Sequence, residues 1–279
     1  MKQKKILIVD GHNFLYRGYY GVPEAATLKN GFQINAIYGF FSLLRNQVEK
    51  TNPDKLLIIF DSETGITKKL EEFPEYKSNR EYKETNIFEQ LAIIQKIIQK
   101  MGICMLEHPD HEADDLIGTY ASLFSSDNHE ALIASNDFDF IQLVNKNIRI
   151  VRGIHNNVDI FDEVEVQKRF GVCALQYIHY HALKGDSSDN LLSIKGIGVK
   201  TACKLIQEFN SIENIYANLE KVPSRYQKLL AENKDKLLRL KDFISIKTDI
   251  NPLPEFGNEL TFSKENLMVK IRPLIDAVC

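Results

Sequence analysis

Cysteine is scarce in this chain, and long apolar runs are missing. The four cysteines stand apart, without the close spacing of a zinc site, at Cys104, Cys173, Cys203 and Cys279. We therefore predict reduced thiols in a cytoplasmic protein. No segment approaches the roughly 20 apolar residues of a membrane span. The run of four apolar residues before Asp10 is too short for a signal-peptide core. Membrane-spanning and disulfide-rich secreted classes are therefore not expected.

The composition is ordinary and leaves the function open. The chain has 279 residues, of which 44% are hydrophobic and 26% are charged, as in many soluble globular proteins. This length suits one large domain or two modest ones, with ample core. The function must therefore be sought in local patterns.

Three apolar runs lead into acidic residues. Residues 5–9 lead into Asp10, residues 56–60 lead into Asp61, and residues 131–134 lead through two polar residues into Asp137. Continuous apolar runs of this kind predict buried parallel strands. Open α/β sheets bind their ligands at the carboxyl ends of the strands, so we expect these acids to meet in one crevice.

A further acidic segment stands at the start of a predicted helix. Glu112 and Asp115 are three residues apart and would share a helix face, with Asp114 beside them. With these, nine acids lie at strand ends, at a helix start or in tight polar turns: Asp10, Asp61, Glu112, Asp114, Asp115, Asp137, Asp139, Asp186 and Asp189.

The nine acids predict a metal centre. Hard oxygen ligands without Cys or His favour Mg²⁺ or Mn²⁺. One such acid alone is more often a turn or helix cap, and only the set as a whole supports a metal site. The formal net charge of −3 would be positive without these acids, so it does not exclude a polyanionic partner.

Strands and helices alternate through the first half of the chain. Periodic apolar residues predict helices over about 35–50 and 86–101. Strands are expected after the first helix and again at about 103–106, 131–134 and 148–151. This alternation predicts an α/β domain with a mostly parallel sheet flanked by helices, which we place at residues 1–162.

Helices dominate from about residue 163, and we predict a helical unit over 163–250 followed by a less regular tail over 251–279. Between two of its helices lies Gly196-Ile197-Gly198, whose backbone can approach a phosphate closely. The next helix offers free N–H groups there, and Lys195, Lys200 and Lys204 add positive charge. We interpret this segment as a helix-turn-helix-like module that grips a nucleic-acid backbone without reading bases.

The segment 62–85 interleaves basic and aromatic side chains. They are Lys68, Lys69, Lys77, Arg80 and Lys83 with Phe73, Tyr76 and Tyr82. Such a mixture suits a single strand, because cations follow phosphates and rings stack on bases. A solvated charged surface with packing aromatics is the simpler alternative.

Taken together, the motifs occur in the order of one known family. They are Asp10-Gly11-His12-Asn13 with Tyr16-Arg17, Phe60-Asp61, Tyr76-Lys77-Ser78-Asn79-Arg80, Glu112-Ala113-Asp114-Asp115, Asp137-Phe138-Asp139, and Gly185-Asp186-Ser187-Ser188-Asp189-Asn190 with Gly196-Ile197-Gly198-Val199-Lys200-Thr201-Ala202. Over residues 5 to 210 the chain resembles the bacterial 5′–3′ exonuclease and flap endonuclease family, which includes the amino-terminal nuclease domain of DNA polymerase I.

The resemblance implies a PIN-like α/β nuclease core, a helical arch at about 62–101 and a helix-3-turn-helix module that binds duplex DNA with a potassium ion. It implies two-metal hydrolysis of DNA in replication and repair, by a stand-alone monomer acting on 5′ flaps and nicked or gapped duplex, with RNA primer ends as a further candidate. No membrane partner is expected. Exonuclease and flap-endonuclease action remain open alternatives.

The resemblance also implies residue roles. One metal would be held mainly by Asp10, Asp61, Glu112 and Asp114. The second would be held mainly by Asp115, Asp137, Asp139, Asp186 and Asp189. Lys77 and Arg80 would be catalytic, by stabilising charge at the scissile phosphate. DNA contacts are expected from Lys68, Lys69, Tyr76, Tyr82, Lys83, Lys195, Gly196, Gly198, Lys200 and Thr201. Apart from the resemblance, His179 and His181 are two residues apart in a helical pattern and do not share a face, so they are not expected to be metal ligands. His12 is expected to be structural and not catalytic.

The chain departs from the family pattern in two segments. Thr67-Lys68-Lys69 stands where Thr-Phe-Arg is expected, and Leu191-Leu192-Ser193 with Lys195 replaces the common Ile-Pro-Gly and Pro. Neither departure removes a carboxylate. The rival interpretations are a structure-specific DNA-binding protein with little nuclease activity and an RNA-cleaving PIN nuclease. The complete acid set disfavours the first, and the Gly-Ile-Gly module disfavours the second.

Overall fold

A computed structural model describes residues 3–62, 85–126, 129–154, 157–186, 190–191, 194–253, 260–268 and 271–277. Most of the predicted arch segment, including Lys68, Lys69, Tyr76, Lys77, Arg80, Tyr82 and Lys83, lies outside these residues, as does Asp189.

A six-stranded sheet forms the centre of the first half. Its strands, in the spatial order β3-β2-β1-β4-β5-β6, are β1 (Lys5–Asp10), β2 (Lys55–Ile59), β3 (Cys104–Leu106), β4 (Glu130–Ala134), β5 (Ile148–Ile154) and β6 (Asn157–Phe161). The first five pair in parallel, and β6 pairs antiparallel with β5. The predicted α/β class with a mostly parallel sheet is confirmed. Strand β6 was not predicted.

Helices cover both faces of the sheet. They are α1 (Gly11–Gly21), α2 (Asn35–Thr51), α3 (Thr85–Lys100) and α4 (Ala113–Ser126). Ile6 and Ile8 of β1 pack in the core with α4, whereas Leu7 and Val9 pack in the core with α1 and α2. Strand β1 is therefore buried on both faces, as its unbroken apolar run predicted.

Helix α1 begins directly after β1 and was not predicted. Its packing on α2 depends on two glycines, because a Cβ atom on Gly39 would lie 2.2 Å from the Cα atom of Gly18. The two backbones therefore touch at this crossing. This contact fixes α1, the helix that follows Asp10, against α2.

The second half is helical, as predicted. Its helices are α5 (Glu163–Phe170), α6 (Ala174–Lys184), α7 (Val199–Phe209), α8 (Ile212–Ala217), α9 (Ser224–Glu232) and α10 (Lys234–Phe243). It is tied to the first half through Gln142, whose side chain hydrogen-bonds the backbones of Ile244 and Ile246.

The tail contains two short helices, α11 (Lys264–Met268) and α12 (Ile271–Asp276), and returns to the sheet domain. Leu267 is buried in the same core as α2, and the backbone N–H of Leu56 donates to Leu260 O at 3.0 Å. Among the described helices, none combines the length and the apolar composition needed to cross a membrane. Cys104, Cys173 and Cys203 are free thiols.

Candidate metal centre

Asp10 ends β1 and is almost fully buried. Its Oδ1 accepts from the backbone N–H of Asn13 at 2.9 Å, so it caps α1, and its Oδ2 accepts from the Ser135 hydroxyl at 2.8 Å. Burial raises the pKa of Asp10, and repulsion from the Asp61 carboxylate adds to this rise, against the lowering effect of its hydrogen bonds. A bound cation would lower the electrostatic free-energy cost of keeping two ionised carboxylates close together in a buried site.

Asp61 follows β2 and joins two segments. Its Oδ1 accepts from the Ala113 N–H at 2.7 Å, which places it at the start of α4. Its own backbone N–H donates to His12 Nδ1 at 3.0 Å, which gives His12 a structural contact. Glu112, directly before Ala113, is buried. Asp10, Asp61 and Glu112 therefore lie at one edge of the sheet.

Ser135 connects Asp10 to the acids that follow β4. Its hydroxyl donates to Asp10 and accepts from the Asp137 N–H at 3.1 Å. Asp137 Oδ1 in turn accepts from the Asp139 N–H at 2.9 Å. The strand-end acids thus meet at the carboxyl edge of the sheet, as the sequence predicted.

His181 lies between two of the predicted metal ligands. Its Nδ1 is 3.1 Å from Asp139 Oδ1, and its Nε2 is 3.1 Å from Asp186 Oδ2. Burial alone would lower the pKa of His181, but the hydrogen bonds to Asp139 and Asp186 raise it to about 9. One donor atom of each of these three residues lies within 4.8 Å of the others, so the group could hold a metal ion. His181 is not expected from the sequence to be a ligand, yet the end of α6 places its ring between two of the acids.

Asp114 and Asp115 occupy the first turn of α4. Asp115 is buried and accepts from the Lys247 N–H at 2.8 Å, which connects it to the segment after α10. Asp114 is half-buried. Asp114 and Asp115 therefore lie in the first helical turn after Glu112, and Asp115 is also hydrogen-bonded to the second half of the chain.

Eight of the nine predicted acids lie within the described residues. Hydrogen bonds and ion pairs join Asp10, Asp137, Asp139 and Asp186 through Ser135 and His181, and Asp61 lies near enough to Asp10 to raise its pKa by repulsion. Glu112, Asp114 and Asp115 lie beside Asp61 at the start of α4.

The Gly-Ile-Gly turn is exposed at its two glycines and packs into the core through the isoleucine between them. Gly196 has φ +102°, a backbone conformation that favours glycine, and Gly198 precedes the first turn of α7. Ile197 is buried, whereas Lys195 and Lys200 are exposed. The Thr201 hydroxyl lies 3.2 Å from the Tyr226 hydroxyl. The backbone of this turn and its two lysine side chains are therefore exposed to solvent, while the buried Ile197 side chain holds the turn against the core.

Two side chains of the centre were missed by sequence reasoning. Ser135 directly follows β4 and precedes Asp137 by two residues, so its place at a strand end was a usable indication. His181 lies five residues before Asp186 on a helix, and only the packing of α6 reveals its position. Neither residue is acidic, and the predicted metal site consisted of acidic residues alone.

The donor set fits a hard divalent cation. Carboxylate oxygens dominate the centre, with a single imidazole, and no cysteine takes part among the described residues. The fold and this centre define an α/β protein with a carboxylate-lined site, suited to divalent cations, beside an exposed helical module.

Comparison with known proteins identifies the family. Residues 5–171 match the family described as the 5′-3′ exonuclease N-terminal resolvase-like domain. Residues 172–266 match the 5′-3′ exonuclease C-terminal SAM fold. The chain therefore belongs to the 5′-3′ exonuclease family, a family of nucleases.

Individual relatives agree with this assignment. The chain is 33% identical to a 5′-3′ exonuclease of Aquifex aeolicus over 96% of its own length and 87% of that protein. It is 34% identical to DNA polymerase I of Caldicellulosiruptor bescii over 88% of its length, but spans only 29% of that polymerase. A structure of the T5 D15 protein co-crystallised with metal ions has the same fold, with a TM-score of 0.71 and 20% identity over 88% of this chain and 90% of that one.

Proposed function

We propose that the protein is a structure-specific 5′ nuclease that hydrolyses DNA phosphodiesters with two divalent cations, Mg²⁺ or Mn²⁺. The observation that carries this proposal is the series of hydrogen bonds and ion pairs from Asp10 through Asp137 and Asp139 to Asp186, with Asp61 within electrostatic reach of Asp10. It gathers acids from distant parts of the sequence at the edge of the sheet where α/β proteins bind ligands. Membership of the exonuclease family supports the same reaction.

The acids divide into two neighbouring groups. Asp10, Asp61, Glu112 and Asp114 would hold mainly one cation. Asp115, Asp137, Asp139, Asp186 and Asp189 would hold mainly the second. When bound, paired cations of this kind activate a water and neutralise charge on the scissile phosphate and its leaving oxygen. No protein nucleophile is needed.

The protein's own residues position this centre. Ser135 orients Asp10 toward the acids after β4, and the Ala113 N–H holds one oxygen of Asp61. His181 lies between Asp139 and Asp186, and although burial lowers its pKa, its hydrogen bonds to these acids raise the pKa to about 9. These contacts hold mutually repelling carboxylates together before a cation binds.

The helical module would hold the duplex. Backbone groups at Gly196 and Gly198, the exposed Lys195 and Lys200 and the Thr201 hydroxyl are suited to phosphates, and a potassium ion at the same turn is part of the proposal. The substrates we propose are 5′ flaps, nicked or gapped duplex and RNA primer ends, bound by a monomer. The basic and aromatic side chains between residues 63 and 84 would contact the single strand.

Lys77 and Arg80 are proposed to stabilise charge at the scissile phosphate. We expect Lys77→Ala to lower the single-turnover cleavage rate on a flap substrate. An unchanged rate would exclude the role of Lys77 in the chemical step.

The experiment that tests the function compares the parent protein with Asp137→Asn. This change keeps an oxygen for the Asp139 N–H and removes the charge. Cleavage of 5′-labelled flap, nicked duplex and single-stranded DNA is measured with Mg²⁺, and Mn²⁺ binding is measured by calorimetry. Asp235→Asn, on the exposed surface of α10, serves as the control.

We expect the parent and Asp235→Asn to cut flap DNA and Asp137→Asn to lose both cleavage and part of its Mn²⁺ binding. Flap binding without cutting by the parent would contradict the nuclease proposal. Equal cutting by Asp137→Asn would contradict the metal assignment.

A further inference from the structure

Two arginines stack on the ring that separates two acids of the metal centre. Phe138 stands between Asp137 and Asp139 in the chain. The guanidinium carbon of Arg152, on β5, lies 4.0 Å from the centroid of the Phe138 ring, and that of Arg169, on α5, lies 5.4 Å from it. Both guanidinium groups therefore lie within cation–π distance of the ring that stands between two acids of the centre in the chain.

The Arg152 guanidinium is not neutralised by a close partner. Its Nε is buried without a hydrogen-bond partner, and no carboxylate among the described residues lies within ion-pair distance of it. Burial and the positive charge of Arg169 lower its pKa, and Asp159 and Asp137 attract it only from further away. Two like charges placed on one ring carry an electrostatic cost that a bound anion would remove.

The remaining arginine of the same strand behaves differently. Arg149 donates from Nη1 to Glu130 Oε1 at 2.9 Å, at the opposite end of β5 from the metal centre. Lys168, next to Arg169 on α5, pairs with Glu165 at 3.1 Å. Each arginine of the stacked pair thus has a nearby basic residue, on the same element, that already has an acidic partner.

We propose that Arg152 and Arg169, stacked on Phe138, form a phosphate-binding subsite for the DNA strand that enters the metal centre. A guanidinium that stacks through its face keeps its N–H edge for bidentate hydrogen bonds to a phosphodiester. Asp137 attracts the Arg152 charge, so a phosphate held by Arg152 lies within electrostatic reach of the acids. The pair also offsets the repulsion between the acidic centre and the DNA backbone.

The proposal rests on the proposed function, since it requires the protein to bind DNA. A purely structural role, in which the two arginines only cover the Phe138 ring, is the alternative. The two roles differ in salt dependence, because each phosphate contact releases counterions and a packing contact does not. The slope of log affinity against log salt concentration therefore separates them.

The test measures binding of a fluorescein-labelled 5′-flap DNA by anisotropy over a KCl series, with Ca²⁺ replacing Mg²⁺ and intact DNA verified on gels. The variants are Arg152→Gln, Arg169→Gln and the double substitution. Arg149→Gln and Lys168→Gln are the matched controls. Thermal unfolding of each variant is recorded in parallel.

We expect each arginine substitution to weaken binding several-fold and to reduce the magnitude of the slope by about 0.7 to 0.9, with the losses adding in the double variant. The two controls should keep the parent slope. Slopes equal to the parent value in Arg152→Gln and Arg169→Gln overturn the subsite, whatever their unfolding temperatures. Arg169 is exposed, so its variant decides the question if Arg152→Gln does not fold. Failure of the parent to bind the flap would instead contradict the proposed function.

Discussion

Single hydrogen bonds position the acids of this centre. Ser135 is fully buried and uses its hydroxyl twice, as a donor to Asp10 and as an acceptor from the Asp137 N–H. Such side chains do not bind the cation, yet they set the direction of those that do. The alignment of Asp10 with Asp137 therefore depends on a residue that carries no charge.

At this scale we predict that Ser135→Ala raises the Mg²⁺ concentration needed for half-maximal flap cleavage by roughly 10- to 100-fold, because Asp10 loses its orienting hydrogen bond. A Mg²⁺ titration of the cleavage rate measures the effect. Ser125→Ala is the control, since that hydroxyl bonds only to Ser122 O within its own helix. Equal Mg²⁺ dependence of Ser135→Ala and the parent would show that Ser135 does not position the acids.

The acids themselves were predictable because they follow recognisable apolar runs. Asp10, Asp61 and Asp137 each occupy the position that a parallel strand gives to ligand-binding residues. Ser135 and His181 were not predicted, since a serine after a strand and a histidine on a helix are common without any site. Their roles depend on distances across the fold, which no local pattern encodes.

Close helix packing supports the element that carries Asp10. A Cβ on Gly39 would meet the backbone of Gly18 at 2.2 Å, too near for any side-chain movement to relieve. We predict that Gly39→Ala lowers the free energy of unfolding by about 1 to 2 kcal/mol, because an overpacking cost of about 2 to 3 kcal/mol outweighs the gain of about 1 kcal/mol in helix propensity. Urea-induced unfolding of the parent and of Gly39→Ala measures this change in the free energy of unfolding.

Gly21→Ala on α1 is the matched control for this helix crossing. A Cβ at Gly21 meets nothing within 4 Å, so the change should leave stability nearly unaltered. If Gly39→Ala were as stable as the parent, the two helices would not touch as described.

A charged contact joins three helices of the second half. Lys241 on α10 pairs with Glu213 on α8 at 2.8 Å, and His179 on α6 lies 3.6 Å from Glu213. Burial alone would raise the pKa of Glu213, but hydrogen bonds from Lys241 and from the backbone lower it to about 2. The ionised form of Glu213 is therefore the one that stabilises this packing.

This contact predicts a pH effect on stability. The folded pKa of Glu213 lies below its ordinary value of 4.5, so its contribution is present above pH 4.5 and is lost as the pH falls toward 2. We expect Glu213→Gln to unfold more easily than the parent at pH 6, with the difference disappearing near pH 2. Chemical unfolding across this range tests it, with Glu220→Gln, on the exposed surface, as control. A difference that persists unchanged at pH 2 would rule out this ion pair as its source.

Periodic elements were predictable, whereas short or aromatic ones were not. The helices at 35–51 and 199–209 follow clear apolar stripes and were placed within a residue or so. Helix α1 was missed because Gly11 opens it and aromatic residues obscure its period. Strand β6 was missed because it lies at the sheet edge with polar residues in alternation.

At the scale of the whole molecule, charge is divided between a concentrated acidic centre and a surface with basic groups. The acids come from β1, β2, β4, α4 and the end of α6, so the centre exists only when both halves of the chain are folded. Positive charge comes from Lys195 and Lys200, which are exposed at the turn before α7, and from Arg152 and Arg169, which lie over the Phe138 ring. A net charge of −3 thus accompanies an architecture suited to a polyanion.

The role of the acidic centre is tested most directly by the Mg²⁺-dependent cleavage rate of a 5′-labelled flap by the parent and by Asp10→Asn, which keeps an oxygen for the Asn13 N–H. We predict cutting near the flap junction that EDTA abolishes, and a rate more than about 100-fold lower in Asp10→Asn. Cleavage that persists in EDTA, or an Asp10→Asn rate equal to that of the parent, would contradict the claim that the acidic centre is a metal-dependent active site.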